Sequence, residues 1–168
     1  PQGTTVEVAD LFYNTPAREK FLKRTATEFD RVNAVATSYA LANPAVAVSL
    51  EHDGRETFAT EGNGDRRSAV LAVYGREVAE AMVDVTWTPE DAPVTRVTGL
   101  VSHPETTRSA RDYLSTYVNG RYVTATLVRD AVLDAYGGQL APDRYPFAVL
   151  FVEVPPGDVD VNVHPRKL

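Results

Sequence analysis

The sequence has no cysteine, one methionine, one tryptophan and only three lysines among its 168 residues. Without cysteine there is no disulfide framework, no thiolate nucleophile and no cysteine-based zinc site. That absence fits a reducing cytosol. No apolar run approaches the roughly 18 residues of a membrane span, and the first residues carry no basic-then-apolar leader. Catalytic signatures are missing too. His52, His103 and His164 lie far apart and lack an HxxxH-type partner, so no metal site is expected. No serine sits in a nucleophile elbow. There is neither a Walker loop nor a GxGxxG, and EGNGD at 61–65 is too short to substitute. Asp158 and Asp160, two apart in an alternating stretch, are either a carboxylate pair or neighbours on a wet strand face. By motif alone the chain is no complete enzyme.

What is present is ordinary for a soluble globular protein: 43% hydrophobic and 24% charged residues, enough for one domain or two small ones. The net charge of −6 argues against a wholly basic nucleic-acid-binding surface, so any phosphate contact must come from a local cluster. Fourteen arginines against three lysines, beside abundant acidic residues, suit a GC-rich, salt-adapted source. The chain opens on Pro1-Gln2-Gly3 without an initiator methionine and is expected to be part of a longer protein.

The pattern predicts a strand at 4–9, an irregular stretch through Asn14-Thr15-Pro16 and a possible helix start after the proline. A second helix is expected from Thr25, with Thr25 and Glu28 at capping-box spacing and Phe29, Val32, Val35, Ala36 and Tyr39 on its apolar face. Asp53-Gly54 and Asn119-Gly120 mark hairpins. Residues 61–65 are the best linker, and the domain boundary is placed there. Beyond it come a helix capped by Asp65 and closed by Gly75, a helical turn at 77–81, strands at 82–88 and 94–103, a helix at 124–136, and an apolar strand at 145–154, central and buried on both faces. This is an α+β sheet, expected to carry its helices on one face.

The last fourteen residues, PPGDVDVNVHPRKL, alternate with Val159, Val161 and Val163 on one side and Asp160, Asn162 and His164 on the other. Pro165 ends the ladder, and Arg166 and Lys167 follow. Such a strand either aims a point charge at a phosphate or ends as a solvated terminus. The cluster Arg18, Lys20, Lys23 and Arg24 is likewise either a phosphate contact or a solvated face. Arg121 sits at a projecting hairpin tip, with Arg129 on the next helix. Tyr113, Tyr117 and Tyr122 are either base-stacking platforms or strand packing.

Three blocks together resemble the MutL mismatch-repair ATPases: GTTVEVADLFYNTPAREKFL at 3–22, YVNGRYV at 117–123 and DVDVNVHPRK at 158–167. The combination of LFYNTPAR with DVNVHPxK is what is specific. The resemblance implies that residues 1–60 end a Bergerat-type (GHKL) ATPase α/β sandwich. Residues 61–168 would be a transducer domain with a left-handed βαβ crossover, as in a small-subunit ribosomal protein. It implies ATP and Mg²⁺ as cofactors of the longer protein, none bound to this stretch alone, and no ATP turnover by it. Gly3 and Thr4 would hold the adenine end of the nucleotide, and Lys167 would reach the γ-phosphate. Asn162 and His164 would fix the strand. Arg121, with Arg129, would contact DNA, although Thr126 stands on the helix where another cation would extend such a groove. Implied partners are DNA, a MutS-like mismatch-recognition protein and a second copy joined through ATP-dependent association, in the cytoplasm with the nucleoid. The alternatives are the transducer of another GHKL ATPase, such as a type II topoisomerase, and a non-enzymatic nucleic-acid or protein interaction domain.

Overall fold

The structure, a computed structural model, describes residues 10–90, 94–124 and 126–158. It divides into two compact units, Pro1–Val35 and Ala36–Leu168. The strand expected at 4–9 and the alternating stretch from Val159 onward lie outside the described residues.

In the first unit, α1 (Pro16–Glu19) starts on its proline, whose missing N–H costs nothing in a first turn. α2 (Thr25–Ala42) follows, beginning in the first unit and ending in the second, but the expected capping box does not form. The Glu28 amide donates to the Arg24 carbonyl at 3.1 Å, so Thr25 is already inside the helix. The Glu28 carboxylate instead accepts from the Lys23 backbone amide at 2.8 Å and pairs with Arg31 at 2.9 Å. The Lys23 amide, aided by the Arg31 charge, holds Glu28 below its ordinary pKa of 4.5. The apolar face read for α2 is also not the buried one. Val32, Val35 and Tyr39 are more than half exposed, while Ala40 and Leu41 are buried.

In the second unit, β1 (Ser49–His52) and β2 (Arg55–Ala59) pair antiparallel across Asp53 and Gly54, with φ 50° and 72°, as the Asp-Gly signal predicts. Residues 61–65, read as a linker, form a bonded turn. Asn63 Oδ1 accepts from the Asp65 amide at 2.9 Å, its Nδ2 donates to Glu61 and Ser68, and the Gly64 amide donates to the Pro44 carbonyl. A Cβ on Gly62 would lie 2.5 Å from the Ala47 nitrogen, so this glycine permits close backbone approach rather than flexibility.

Asp65 caps α3 (Arg66–Tyr74), accepting from the Arg67 amide, and Gly75 closes it. α4 (Arg76–Ala81) runs directly into β3 (Met82–Trp87). Arg67 locks that junction, donating to the carbonyls of Ala79 and Met82 and to the Asp84 carboxylate at 2.7–3.0 Å. There follow β4 (Arg96–Ser102), β5 (Thr107–Arg108), β6 (Leu114–Val118), β7 (Arg121–Val123), α5 (Thr126–Tyr136), β8 (Tyr145–Pro146) and β9 (Ala148–Glu153). The main sheet has the order β3-β4-β9-β6-β7, while β5 and β8 pair separately. β9 lies antiparallel to β4 and parallel to β6, so the connection from β6 through α5 to β9 is the βαβ crossover.

β9 is the central strand, as its apolar run predicts, and alternate residues serve two cores. Val149 joins Leu41, Val70, Val78, Leu100 and Tyr117 on the α3–α4 side. Ala148 and Leu150 join Leu114 on the other, against Val132 and Leu133 of α5. The expectation that helices occupy one face is therefore corrected. A strand apolar on both sides needs cover on both. Among the described residues, no helix is long and apolar enough to cross a membrane.

Candidate functional site

The β6–β7 turn is built from Asn119 and Gly120, both left-handed at φ 47° and 80°, as a two-residue hairpin with this twist requires. Arg121 follows immediately and is exposed. Its register partner is Val118, which shares a strand face with Leu114. Arg121 therefore stands on the side of the sheet that carries α5 and Arg129. The next residue, Tyr122, pairs with Tyr117 on the opposite side.

Asn119 has a second task. Its backbone amide donates to the Val152 carbonyl at 3.0 Å. Its side-chain Nδ2 donates to the Val154 carbonyl at 2.9 Å, and its Oδ1 accepts from the Val154 amide at 3.0 Å. The parallel β6–β9 ladder stops at Val118 and Val152. The side-chain amide then stands in for one more residue of backbone. Sequence reading missed this because the Asn-Gly turn signal already accounted for the asparagine.

Most other arginines near the sheet are engaged by the protein itself. Arg66 lies 4.1 Å over the Phe151 ring and donates to Thr98. Arg144 holds Thr107 with two donors. Arg111 stacks on Tyr145, whose hydrogen bond raises the guanidinium's already high pKa. Arg121 differs: among the described residues no acidic side chain pairs with it. Arg129 is half-buried, and its Nε is buried without a hydrogen-bond partner among the described residues. An apolar groove of about 960 Å³ runs beside α5, between Leu127 and Val132 on one side and Trp87 and Val97 on the other. Its described lining holds no lysine or arginine.

The tyrosines resolve towards packing. Tyr117 is fully buried, and Tyr113 sits edge-on against Tyr74 and Phe147. Of these three, only Tyr122, 43% exposed, could offer a face to a base. Burial pushes the Tyr74 hydroxyl up to about 12 and raises Tyr117 as well. Gly3, Thr4, Asn162, His164 and Lys167 lie outside the described residues. The structure thus brings Arg121 and Arg129 to one face.

Residues 70–168 match the family model described as DNA mismatch repair protein, C-terminal domain. The chain belongs to the MutL family of DNA mismatch repair proteins. Over its whole length it is 66% identical to the DNA mismatch repair protein MutL of Halobacterium salinarum, and over 99% of its length 45% identical to that of Lacticaseibacillus casei. It spans about a quarter of the length of these relatives, 25% in each case. Among solved structures, the Aquifex aeolicus MutL ATPase domain with a K252N mutation superposes with a TM-score of 0.65 at 25% identity, covering 95% of this chain and 56% of that one. The ADP complex of the Aquifex aeolicus MutL ATPase domain has the same fold, with a TM-score of 0.63 at 23% identity, covering 88% and 51%. The mixed α+β architecture is thus that of MutL ATPase domains, and membership of this family decides against the topoisomerase-like alternative.

Proposed function

We propose that this chain is the transducer-bearing part of a MutL mismatch-repair ATPase, in which ATP binding and hydrolysis drive dimerisation, DNA binding and recruitment of a MutS-like partner. On this reading residues 1–60 end the ATPase domain and 61–168 form the transducer. The observation that carries the DNA contact is Arg121, exposed at the tip of a rigid hairpin with no acidic partner described. A guanidinium so placed can donate two parallel hydrogen bonds to a phosphate. Arg129, on the same face, extends the positive strip.

Among the described residues no three acidic or histidine side chains converge as a metal site would require. From the resemblance of the first and last sequence blocks to MutL motifs we assign this chain's nucleotide contacts to Gly3 and Thr4 at the adenine end and Lys167 at the γ-phosphate. Bound ATP with Mg²⁺ would supply the phosphoryl chemistry. The ammonium of Lys167 would stabilise charge developing on the phosphoryl oxygens, a preorganised electrostatic role. The stretch alone is expected not to turn over ATP. The work of such a protein places it with the nucleoid.

The test is steady-state ATP hydrolysis by the full-length protein carrying Lys167→Ala. A fall of roughly 100-fold or more in kcat, with the fold intact, is expected for loss of one charge stabiliser. Unchanged hydrolysis would remove Lys167 from the site.

A further inference from the structure

We infer that Arg108, Arg111 and Arg144 form a docking patch for carboxylates on the surface of a protein partner. The inference rests on the partner recruitment proposed above, and goes beyond it in naming where the partner sits and by what chemistry it is held. The patch lies at the opposite end of β6 from the Asn119-Gly120 turn. That strand has five residues, a span of about 17 Å at the usual rise. The patch is therefore separate from the surface assigned to DNA.

The three guanidiniums are held in place by groups other than carboxylates. β5 and β8 pair with Arg108 opposite Tyr145 and Thr107 opposite Pro146. Arg108 lies over the Phe147 ring at 5.4 Å and Arg111 over the Tyr145 ring at 5.0 Å. Arg111 also donates to the Tyr145 hydroxyl. Phe147 is buried and packs edge-on against Tyr113, so the platform under Arg108 is part of the core. Arg144 gives Nε and Nη2 to Thr107, at 2.9 and 2.7 Å. The base of the platform is bonded too. The Ser102 hydroxyl donates to the Thr106 carbonyl at 2.7 Å and accepts from the Phe147 amide at 3.1 Å. All three arginines are exposed. The ion pairs among the described residues are Glu28–Arg31, His52–Asp53, Arg67–Asp84 and Arg76–Glu80, and none involves them. A guanidinium laid against a ring still presents edge donors to a planar acceptor.

Local charge decides between the two kinds of anionic partner. Glu105 and Asp112 flank the arginines in sequence. Asp130 and Asp143 lie near Arg111 without forming an ion pair with it. All four acids are exposed. Cations so interspersed with acids offer little to a polyanion, whose affinity grows from summed charge. What remains is directional. Each fork can donate two parallel hydrogen bonds to one carboxylate, while the neighbouring acids repel a misplaced one. Arginine beside tyrosine is also the composition of the energetic centre of protein interfaces, and Tyr145 is half-buried at the middle of this patch.

The experiment uses the full-length protein with ATP and a MutS-like mismatch-recognition protein as the partner. It compares wild type with Arg108→Ala, Arg111→Ala, Arg111→Lys and Arg76→Ala, and duplex binding without the partner is measured alongside. Arg108→Ala and Arg111→Ala should weaken partner binding about ten-fold or more, chiefly through faster dissociation. Arg111→Lys should lose nearly as much, because lysine keeps the charge and lacks the fork. Arg76→Ala removes an exposed arginine elsewhere in the unit and should have no effect. Duplex affinity should stay within about two-fold of wild type throughout, as expected for distant sites, which also reports that each variant is folded. Partner binding unchanged in the alanine variants, or kept by lysine, would overturn the patch while the DNA assignment stands. A parallel loss of duplex affinity would overturn it as well, by making it a nucleic-acid surface. So would altered self-association in sedimentation velocity with partner binding intact, by making it a contact between copies. If the partner does not bind wild type, the proposed recruitment fails and the patch with it.

Discussion

The Tyr117 hydroxyl donates to the Ser38 carbonyl at 2.8 Å, joining residues 79 apart in sequence. Among the described residues Tyr117 is the largest fully buried side chain. It stacks on Phe151 of the central strand, with ring centroids 4.9 Å apart. One residue therefore ties the C-terminal part of α2 to the middle of the sheet.

Tyr117→Phe keeps the ring and its stacking but strands the position of a buried hydroxyl. The expected loss is about 1 kcal/mol of unfolding free energy, the net worth of one such bond. Urea denaturation of the two proteins measures it. A variant as stable as wild type would show that water serves Ser38 equally well.

Alkaline conditions should weaken the fold through Tyr74. Burial raises its pKa from 10.0 to about 12, so above pH 10 the unfolded chain releases a proton that the folded chain retains. The stabilisation is fully present below pH 10 and is lost as pH rises towards about 12. Tyr117, raised by the same cause, acts in the same direction. Denaturation midpoints between pH 8 and pH 11.5 should fall, and Tyr74→Phe should flatten the decline.

At the acid end the sign reverses. Glu28 is held below its ordinary 4.5, chiefly by the Lys23 amide. Its contribution is present above pH 4.5 and disappears as pH falls through the folded value. Glu28→Gln should remove the acid-dependent part of the helical signal from the start of α2, followed by circular dichroism between pH 6 and pH 3. An acid limb of the same shape in both proteins would show that Glu28 contributes nothing there.

Arg121→Glu should weaken duplex binding and reduce its salt dependence. Losing one phosphate contact lowers the slope of log affinity against log salt by about 0.9, and the weakening should be uniform across sequences. Titrations at several salt concentrations give both numbers. An unchanged slope would take Arg121 off the backbone.

Where the code was local, the sequence was legible. Asp53-Gly54 and Asn119-Gly120 demand left-handed backbone and have it. Asp65 and Gly75 bracket α3 where a cap and a stop were expected, and the blocks around LFYNTPAR and DVNVHPRK carried the family. What was not legible depended on partners distant in sequence. Glu28 stands at capping-box spacing from Thr25, yet the Lys23 amide takes its carboxylate. Gly62 and Gly64 looked like slack until Ala47 and Pro44 were seen against them. The apolar run of β9 showed that both its faces are buried, but not that α5 would cover one of them. Arg121 was visible from its place in the hairpin, whereas the bonds of Asn119 to Val154 depend on a strand pairing that no local pattern records.

The strand order β3-β4-β9-β6-β7 has a consequence for how the unit is made. The middle strand is the last of the five to leave the ribosome. Until residues 148–153 emerge, β3–β4 and β6–β7 can exist only as separate hairpins, each with an open inner edge. Such edges are prone to wrong pairing. The five-stranded sheet is therefore most exposed to wrong pairing just before residues 148–153 arrive to join its two halves.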